Sequence, residues 1–112
     1  MKLQKKLIAS KGVKFEIKDG KKTIGRAFLY LLKNDLHKEP FGFLEDVFVD
    51  NKYRGQGLGF ELIKAVIKEA KKRKCYKLIA TSRNTKPELQ KYYARFGLKV
   101  WGVEYRIDFT KY

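Results

Sequence analysis

The chain has 112 residues, which is enough for one domain of ordinary size and too few for a multidomain enzyme. Its 44% hydrophobic and 14% aromatic residues are enough to bury a core, which excludes a disordered chain. Lys and Arg number 27 against 12 Asp and Glu, so the net charge of +15 favours anionic partners.

Cysteine content and apolar runs indicate the cellular compartment. The single cysteine, Cys75, cannot form an internal disulfide, and together with the single histidine, His37, it is too little for a metal cluster. The apolar patch near the N-terminus is too short for a signal peptide, and no run approaches the ~20 apolar residues of a membrane span. The sequence predicts one cytoplasmic domain over residues 1–112, with no metal cofactor and no membrane association.

The first half of the chain predicts three strands. Residues 13–17 alternate apolar and polar side chains and lead into Asp19-Gly20, a dipeptide suited to a tight hairpin turn. Residues 23–32 include a continuous apolar run, which is typical of a strand covered on both faces. Residues 41–49 predict a third strand, which Glu45 and Asp46 interrupt with charge.

The second half predicts alternating helices and strands. Apolar residues recur at helical spacing over 58–74, and residues 76–81 have the composition of a strand. Thr85 and Glu88 have the spacing of a capping box that opens a second helix, and Gly97 closes it. Residues 98–110 alternate like a final strand. The element order predicts an α/β fold class.

A glycine-rich turn, Tyr53-Arg54-Gly55-Gln56-Gly57-Leu58-Gly59, joins the third strand to the long helix. Glycines let phosphate oxygens approach the backbone, and a helix N-terminus presents unpaired N–H groups to them. The turn therefore indicates a phosphorylated ligand. The P-loop motif is not met because Phe60-Glu61 follows the last glycine, and the dinucleotide motif fails because Phe60 stands in place of its final glycine.

The spacing Arg-x-x-Gly-x-Gly at Arg54, Gly57 and Gly59 resembles the pyrophosphate-binding signature of the GNAT superfamily of acetyl-CoA-dependent N-acetyltransferases. Residues 44–59 are most similar to its spermidine/spermine acetyltransferase type. The resemblance covers residues 23–110 and implies a mixed, mostly antiparallel central sheet with helices packed on it. Family members usually place two helices between their first two strands, and here these N-terminal helices are expected to be reduced or absent.

The resemblance implies acetyl-CoA as the co-substrate. The backbone of Val47, Phe48 and Val49 would hold the pantetheine arm like an added strand, and an N–H there would polarise the acetyl carbonyl. Arg54 would add side-chain charge for the pyrophosphate. Backbone amides would hold it, and they belong to Gly55, Gln56, Gly57, Leu58, Gly59 and Phe60. Asn84 is a further candidate cofactor contact, two residues before the position of the family's usual asparagine.

Two catalytic residues are implied by the same resemblance. Attack of an amine on the thioester needs a group that accepts the amine proton and one that protonates the departing thiolate. Tyr93, four residues before Gly97, matches the tyrosine that protonates the sulfur; the alternative is that Tyr93 and its neighbour Tyr92 only pack on an amphipathic helix. Glu45 matches the glutamate of the polyamine-type enzymes and is the candidate base; the alternative is an exposed or lysine-paired carboxylate.

The predicted function is N-acetylation of a primary amine, with a polyamine, a small amine and a protein amino group all open as acceptors. Two alternatives stand beside it. A basic chain binds nucleic acid, or associates with the ribosome, non-specifically through its charge. A GNAT fold also binds coenzyme A without catalysing transfer. A trimmed fold would in addition leave surface for a homodimer to cover.

Overall fold

The computed structural model describes residues 1–83 and 86–112, whose contacts divide them into two units, Met1–Ala80 and Thr81–Tyr112. The elements in chain order are β1 (Lys11–Asp19), β2 (Lys22–Leu32), β3 (Phe41–Val49), a short 3-10 helix (Asn51–Tyr53), α1 (Leu58–Lys72), β4 (Leu78–Ala80) and α2 (Pro87–Arg95). Among the described residues, no helix has the length and apolar content needed to cross a membrane.

The first unit is built on a four-stranded sheet in the order β1-β2-β3-β4. β1 pairs with β2 and β2 with β3 in antiparallel fashion, whereas β3 pairs with β4 in parallel. The predicted turn at Asp19-Gly20 closes the first hairpin, with Gly20 at φ 62°. The predicted α/β class with a mixed, mostly antiparallel sheet is confirmed, and residues 1–10 contain no helix.

β1 is the outer strand of the sheet, and its side chains alternate strictly. Val13, Phe15 and Ile17 are half-buried, while the intervening positions are exposed. Three of the exposed positions are lysines: Lys11, Lys14 and Lys18.

The core of the first unit lies between α1 and the sheet. α1 packs against β2 and β3, as its helical spacing of apolar residues predicts. Burying a Leu or Ile side chain stabilises a fold by about 1.5–3 kcal/mol, so this layer is the main source of stability for the unit. The buried apolar residues of the unit are Leu62, Ile63, Val66 and Ala70 from α1, with Ile24, Ala27, Leu29, Leu31 and Leu44 from the sheet.

Over residues 27–32, β2 is fully buried on one face only, which corrects the expectation that this run is covered on both. Ala27, Leu29 and Leu31 are buried, but Phe28 is half-buried and Tyr30 is 40% exposed. The difference arises because alternate side chains of a strand point to opposite faces and α1 covers only one of them. A continuous run of apolar residues is therefore not sufficient evidence that both faces of a strand are buried.

α1 ends at Lys72, two residues before its predicted end. Lys74 adopts the left-handed conformation, with φ 61°, and its amide donates to the carbonyl of Lys71. The next amide, of Cys75, donates to the carbonyl of Ala70, which is the pattern of a closing helix turn. β4 is likewise shorter than predicted, because it pairs with β3 over three residues only.

The second unit contains α2, whose predicted end at Gly97 is confirmed. Gly97 has φ 89°, and the amide of Leu98 donates to the carbonyl of Tyr93 at 2.9 Å. The helix begins at Pro87, a residue suited to the first helical position. Thr85, predicted to open the helix through a capping box, lies outside the described residues.

Residues 98–112 form no strand, so the predicted final strand is wrong. The large apolar side chains of this tail are exposed, among them Trp101, Tyr105 and Phe109. Alternation of apolar and polar residues shows that a segment would suit a sheet, but a strand also needs a neighbouring backbone. Within the described residues the tail pairs with no strand.

We predict that Gly42→Ala destabilises the fold and that Gly25→Ala does not. A Cβ on Gly42 would stand 2.9 Å from Leu78 Cδ1 and 3.0 Å from Leu29 Cδ1, and Leu29 is fully buried and cannot move aside. The expected loss in free energy of unfolding is about 1–3 kcal/mol. A Cβ on Gly25 finds only ordinary contacts at 3.5 Å, so this matched variant keeps or gains stability. Urea denaturation of both would contradict the packing if Gly42→Ala proved the more stable.

Candidate functional site

β3 changes its pairing halfway along its length. Its parallel ladder with β4 ends at the pair Leu44 and Ala80. Its antiparallel ladder with β2 shifts register between Arg26 and Phe28, where Asp46 has φ 53°. The charged interruption predicted within this strand is therefore a β-bulge, which bends a strand and redirects its side chains.

Beyond the bulge, β3 presents a polar backbone edge. The amide of Asp50 donates to the carbonyl of Ile24 in β2 at 2.7 Å. Because successive residues of a strand direct their backbone groups to opposite edges, the N–H and C=O of Val49 point away from β2. Within residues 1–80, the part of β3 over 47–49 has no ladder on that edge. An extended ligand arm could therefore pair with the Val49 N–H on this edge, and the assignment of Val47, Phe48 and Val49 to the pantetheine arm stays a prediction.

Asp50 holds the connection between β3 and the glycine turn. Its Oδ1 accepts a hydrogen bond from the Lys52 amide at 3.3 Å, and its Oδ2 lies 3.3 Å from Lys22 Nζ. The bond from the Lys52 N–H, followed by the Lys22 ammonium, lowers the pKa of this carboxyl. The sequence analysis did not assign Asp50 this role, although an Asp before a turn is a common capping signal.

Tyr53 fixes the 3-10 helix to the first hairpin. Its hydroxyl donates to Asp19 Oδ2 at 2.5 Å, and this bond raises the pKa of the phenol. Asp19 is the last residue of β1, so the bond joins the end of this strand to the 3-10 helix, 34 residues away in the sequence. No local pattern signals such a contact, and the sequence analysis missed it.

The glycine turn has the backbone conformation that an anion site needs. Gly55 and Gly57 have φ values of 83° and 80°, in the left-handed region that favours glycine. A Cβ on either would meet no atom within 4 Å, so the conformation rather than close packing requires glycine. Gln56, between them, is exposed, and Phe60 in the first turn of α1 is half-buried.

α1 begins directly after Gly57, which has no side chain with which to cap it. The first bond of the helix runs from the Glu61 amide to the Gly57 carbonyl at 3.0 Å. The amides of the first turn have no partners inside an α-helix, so those of Leu58 and Gly59 are available to a ligand. The turn and the helix N-terminus can together hold a phosphate or diphosphate.

Arg54 lies between the β3 edge and the glycine turn. Its Nε donates to the Val49 carbonyl at 2.9 Å, and its guanidinium carbon is 5.6 Å from the centre of the Phe48 ring. A second arginine, Arg26 of β2, stacks on the same ring at 4.7 Å. Sequence analysis missed Arg26, because only the register of β2 with β3 places it opposite Phe48.

Glu45, the candidate base, directly precedes the bulge. It is half-buried and stands opposite Phe28 in the ladder with β2. Its neighbour Leu44 is buried beneath α1, so Glu45 lies on the other face of the sheet. Asp46, at the bulge itself, is exposed.

The two candidate tyrosines of α2 have different surroundings. The hydroxyl of Tyr93 donates to the carbonyl of Thr81 at 3.2 Å, and the side chain is almost fully buried. The hydroxyl of Tyr92 donates to Glu88 Oε1 at 3.0 Å, and this bond raises the pKa of its phenol. Both belong to the second unit, and Asn84 lies outside the described residues.

The structure therefore brings together the predicted cofactor residues of the first unit, namely the β3 edge, Arg54 and the glycine turn. Cys75 is half-buried, and burial raises the pKa of its thiol, which disfavours the reactive thiolate. Among the described residues, no group of three His, Cys, Asp or Glu side chains could hold a metal ion.

Residues 4–98 match the family described as acetyltransferase (GNAT). The chain is 41% identical over 68 residues to a protein of Oryza sativa subsp. japonica described as probable glucosamine 6-phosphate N-acetyltransferase 2. The match covers 61% of this chain and 39% of the rice protein, so the chain spans about two fifths of the length of that relative. The family resemblance of the glycine turn is confirmed, and the narrower likeness to the spermidine/spermine type stays a prediction.

Solved structures share the fold. An acetyltransferase of Trypanosoma brucei is 28% identical, with a TM-score of 0.76 over 87% of this chain and 68% of that chain. The glucosamine-6-phosphate N-acetyltransferase of Arabidopsis thaliana is 22% identical, with a TM-score of 0.78 over 88% of this chain and 67% of that chain. These similarities confirm the predicted fold class.

We predict that the free energy of unfolding of Asp46 variants depends on how readily the new residue adopts the left-handed conformation. Asp46→Gly and Asp46→Asn keep the stability of the parent chain, because both residues adopt a positive φ readily. Asp46→Val loses about 1–2 kcal/mol in free energy of unfolding, because a β-branched side chain is strained there. Equal denaturation midpoints for the glycine and valine variants would show that the bulge is absent in solution.

Proposed function

The chain belongs to the acetyltransferase (GNAT) family, and from this premise we propose that it transfers the acetyl group of acetyl-CoA to a primary amine. The proposal rests on one observation: the β3 edge over residues 47–49 and the glycine turn before α1 lie in the same unit. The edge suits an extended amide-bearing arm, and the first-turn amides suit a diphosphate. Coenzyme A combines these two groups in one molecule.

In this proposal the backbone after the bulge donates a hydrogen bond to the thioester carbonyl and stabilises the negative charge that develops on its oxygen. The neutral amine forms a bond to the carbonyl carbon, and Glu45 accepts a proton from the amine directly or through water. The bond from carbon to sulfur then breaks, and Tyr93 gives its hydroxyl proton to the thiolate. The products are an acetamide and coenzyme A.

A phosphorylated amino sugar is the acceptor that we favour. The rice and Arabidopsis relatives are named for glucosamine 6-phosphate, which carries both a primary amine and an anionic group. The net charge of +15 attracts such an acceptor and repels a polyamine cation. Cytoplasmic location, a single domain, a homodimer and non-specific nucleic-acid binding all stay predictions.

Binding and turnover can be tested separately. We expect calorimetry to detect binding of coenzyme A, and we expect thiol release from acetyl-CoA to increase with glucosamine 6-phosphate and not with spermidine. Unphosphorylated glucosamine is the matched control, since it has the same amine without the phosphate. Absence of coenzyme A binding would refute the proposal, whereas binding without thiol release for any amine would leave a non-catalytic GNAT fold.

The neighbouring tyrosines give a test of the proton donor. We predict that Tyr93→Phe lowers kcat by about 100-fold, because general acid catalysis contributes on this scale, and leaves the affinity for coenzyme A unchanged. Tyr92→Phe removes an equivalent hydroxyl one position away, and we expect its kcat to match that of the parent enzyme. Equal kcat values for both variants would assign Tyr93 to packing alone.

A further inference from the structure

Two arginines from separate elements converge on one aromatic ring. Arg26 lies in β2 directly opposite Phe48 of β3, and its guanidinium carbon is 4.7 Å from the ring centre. Arg54 follows the 3-10 helix and lies 5.6 Å from the same centre. Phe48 is 41% exposed, so a ligand in solvent can reach this cluster.

Neither charge is neutralised by a carboxylate in the part of the chain that the structure describes. Within the described residues, Arg26 and Arg54 form no ion pair, in contrast to Arg73, which binds Glu69 at 2.7 Å. Glu16, the cross-strand neighbour of Arg26, instead accepts a hydrogen bond from the Thr23 hydroxyl at 2.7 Å.

Asp50, whose carboxyl precedes the glycine turn, pairs with Lys22 and not with either arginine. Both guanidinium carbons thus lie within reach of one ring, 4.7 and 5.6 Å from its centre, and neither is paired with a carboxylate of the described residues. Such an arrangement costs electrostatic energy that a bound anion would offset.

The cluster is also organised for binding. Stacking on a ring orients a guanidinium, and the bond from Arg54 Nε to the Val49 carbonyl fixes the second one further. A guanidinium has five N–H donors in a planar fork that matches phosphate oxygens, and Arg54 uses one of them on Val49. Donors therefore remain on both side chains for a tetrahedral anion.

We propose that Arg26 and Arg54 form a second anion subsite, which binds a phosphate monoester beside the glycine turn. The inference rests on the proposed function, in which the turn holds the diphosphate. Two sources carry the required group: the ribose 3′-phosphate of coenzyme A and the sugar phosphate of the acceptor. The shared chemistry is a phosphate monoester dianion, and the assays below separate its sources.

The test compares Arg26→Gln with Lys77→Gln. Lys77 also stacks on aromatic rings, at 5.0 Å from Phe41 and 5.5 Å from Tyr76, and its substitution changes the net charge equally. Lys77 stacks at Phe41, the first residue of β3, whereas Arg26 stacks at Phe48 near the other end of that strand. Lys77 is therefore a matched control, a ring-stacked cation away from the glycine turn.

Calorimetry with coenzyme A and with dephospho-coenzyme A measures whether the ribose 3′-phosphate occupies the subsite. If the 3′-phosphate occupies the subsite, Arg26→Gln weakens coenzyme A binding about tenfold and leaves dephospho-coenzyme A unaffected. If the acceptor phosphate occupies it, Arg26→Gln raises KM for glucosamine 6-phosphate about tenfold and leaves KM for glucosamine unaffected. Lys77→Gln changes none of these values, and Arg26→Lys recovers part of the loss.

Unchanged affinity and unchanged KM in Arg26→Gln, in a protein with the thermal stability of the parent, would overturn the inference. A titration with inorganic phosphate, monitored by NMR of the arginine Nε–H signals, measures anion binding at the subsite in the absence of coenzyme A. Saturable shifts at Arg26 in a chain that binds no coenzyme A would refute the proposed function alone. Absence of such shifts together with absence of coenzyme A binding would refute both.

Discussion

The candidate site depends on the change of pairing in the middle of β3. Up to Leu44 the strand is paired on both edges, and it is an ordinary interior strand of the sheet. The bulge at Asp46 then redirects the chain, and the parallel partner ends at the same level. One continuous strand therefore belongs to the core at its start and, within residues 1–80, has one edge without a ladder at its end. This division lets a stable sheet carry unpaired backbone groups where a ligand arm can use them.

The turn after β3 is held by polar contacts instead of apolar burial. Asp50 caps the 3-10 helix, the Tyr53 hydroxyl reaches Asp19, and Arg54 reaches back to the Val49 carbonyl. These bonds fix the entry of the chain into α1 while leaving Gly55 exposed and Gly57 half-buried. A rigid, solvent-facing backbone is the form in which amides bind an anion without first being ordered. The contact of Arg54 with Val49 also holds its guanidinium beside the Phe48 ring, where the register of β2 with β3 places Arg26.

Local sequence patterns predicted the parts of the structure that local physics determines. The hairpin turn at Asp19-Gly20, the start of the long helix at Leu58 and the glycine turn before it depend on neighbours in the chain, and each could be predicted. The register of β2 with β3, the bond from Tyr53 to Asp19 and the position of Arg26 depend on residues far apart in sequence. The tail over residues 98–112 shows the same limit, because its alternation did not reveal whether a partner strand exists.

The lysines of β1 have a consequence for how the molecule behaves at high concentration. An outer strand offers free backbone groups to any other sheet, and proteins commonly discourage such pairing with charge. Lys11, Lys14 and Lys18 are exposed along this strand, so a second copy docking there would bring like charges face to face. Edge-to-edge aggregation is thereby disfavoured on the β1 side of the sheet.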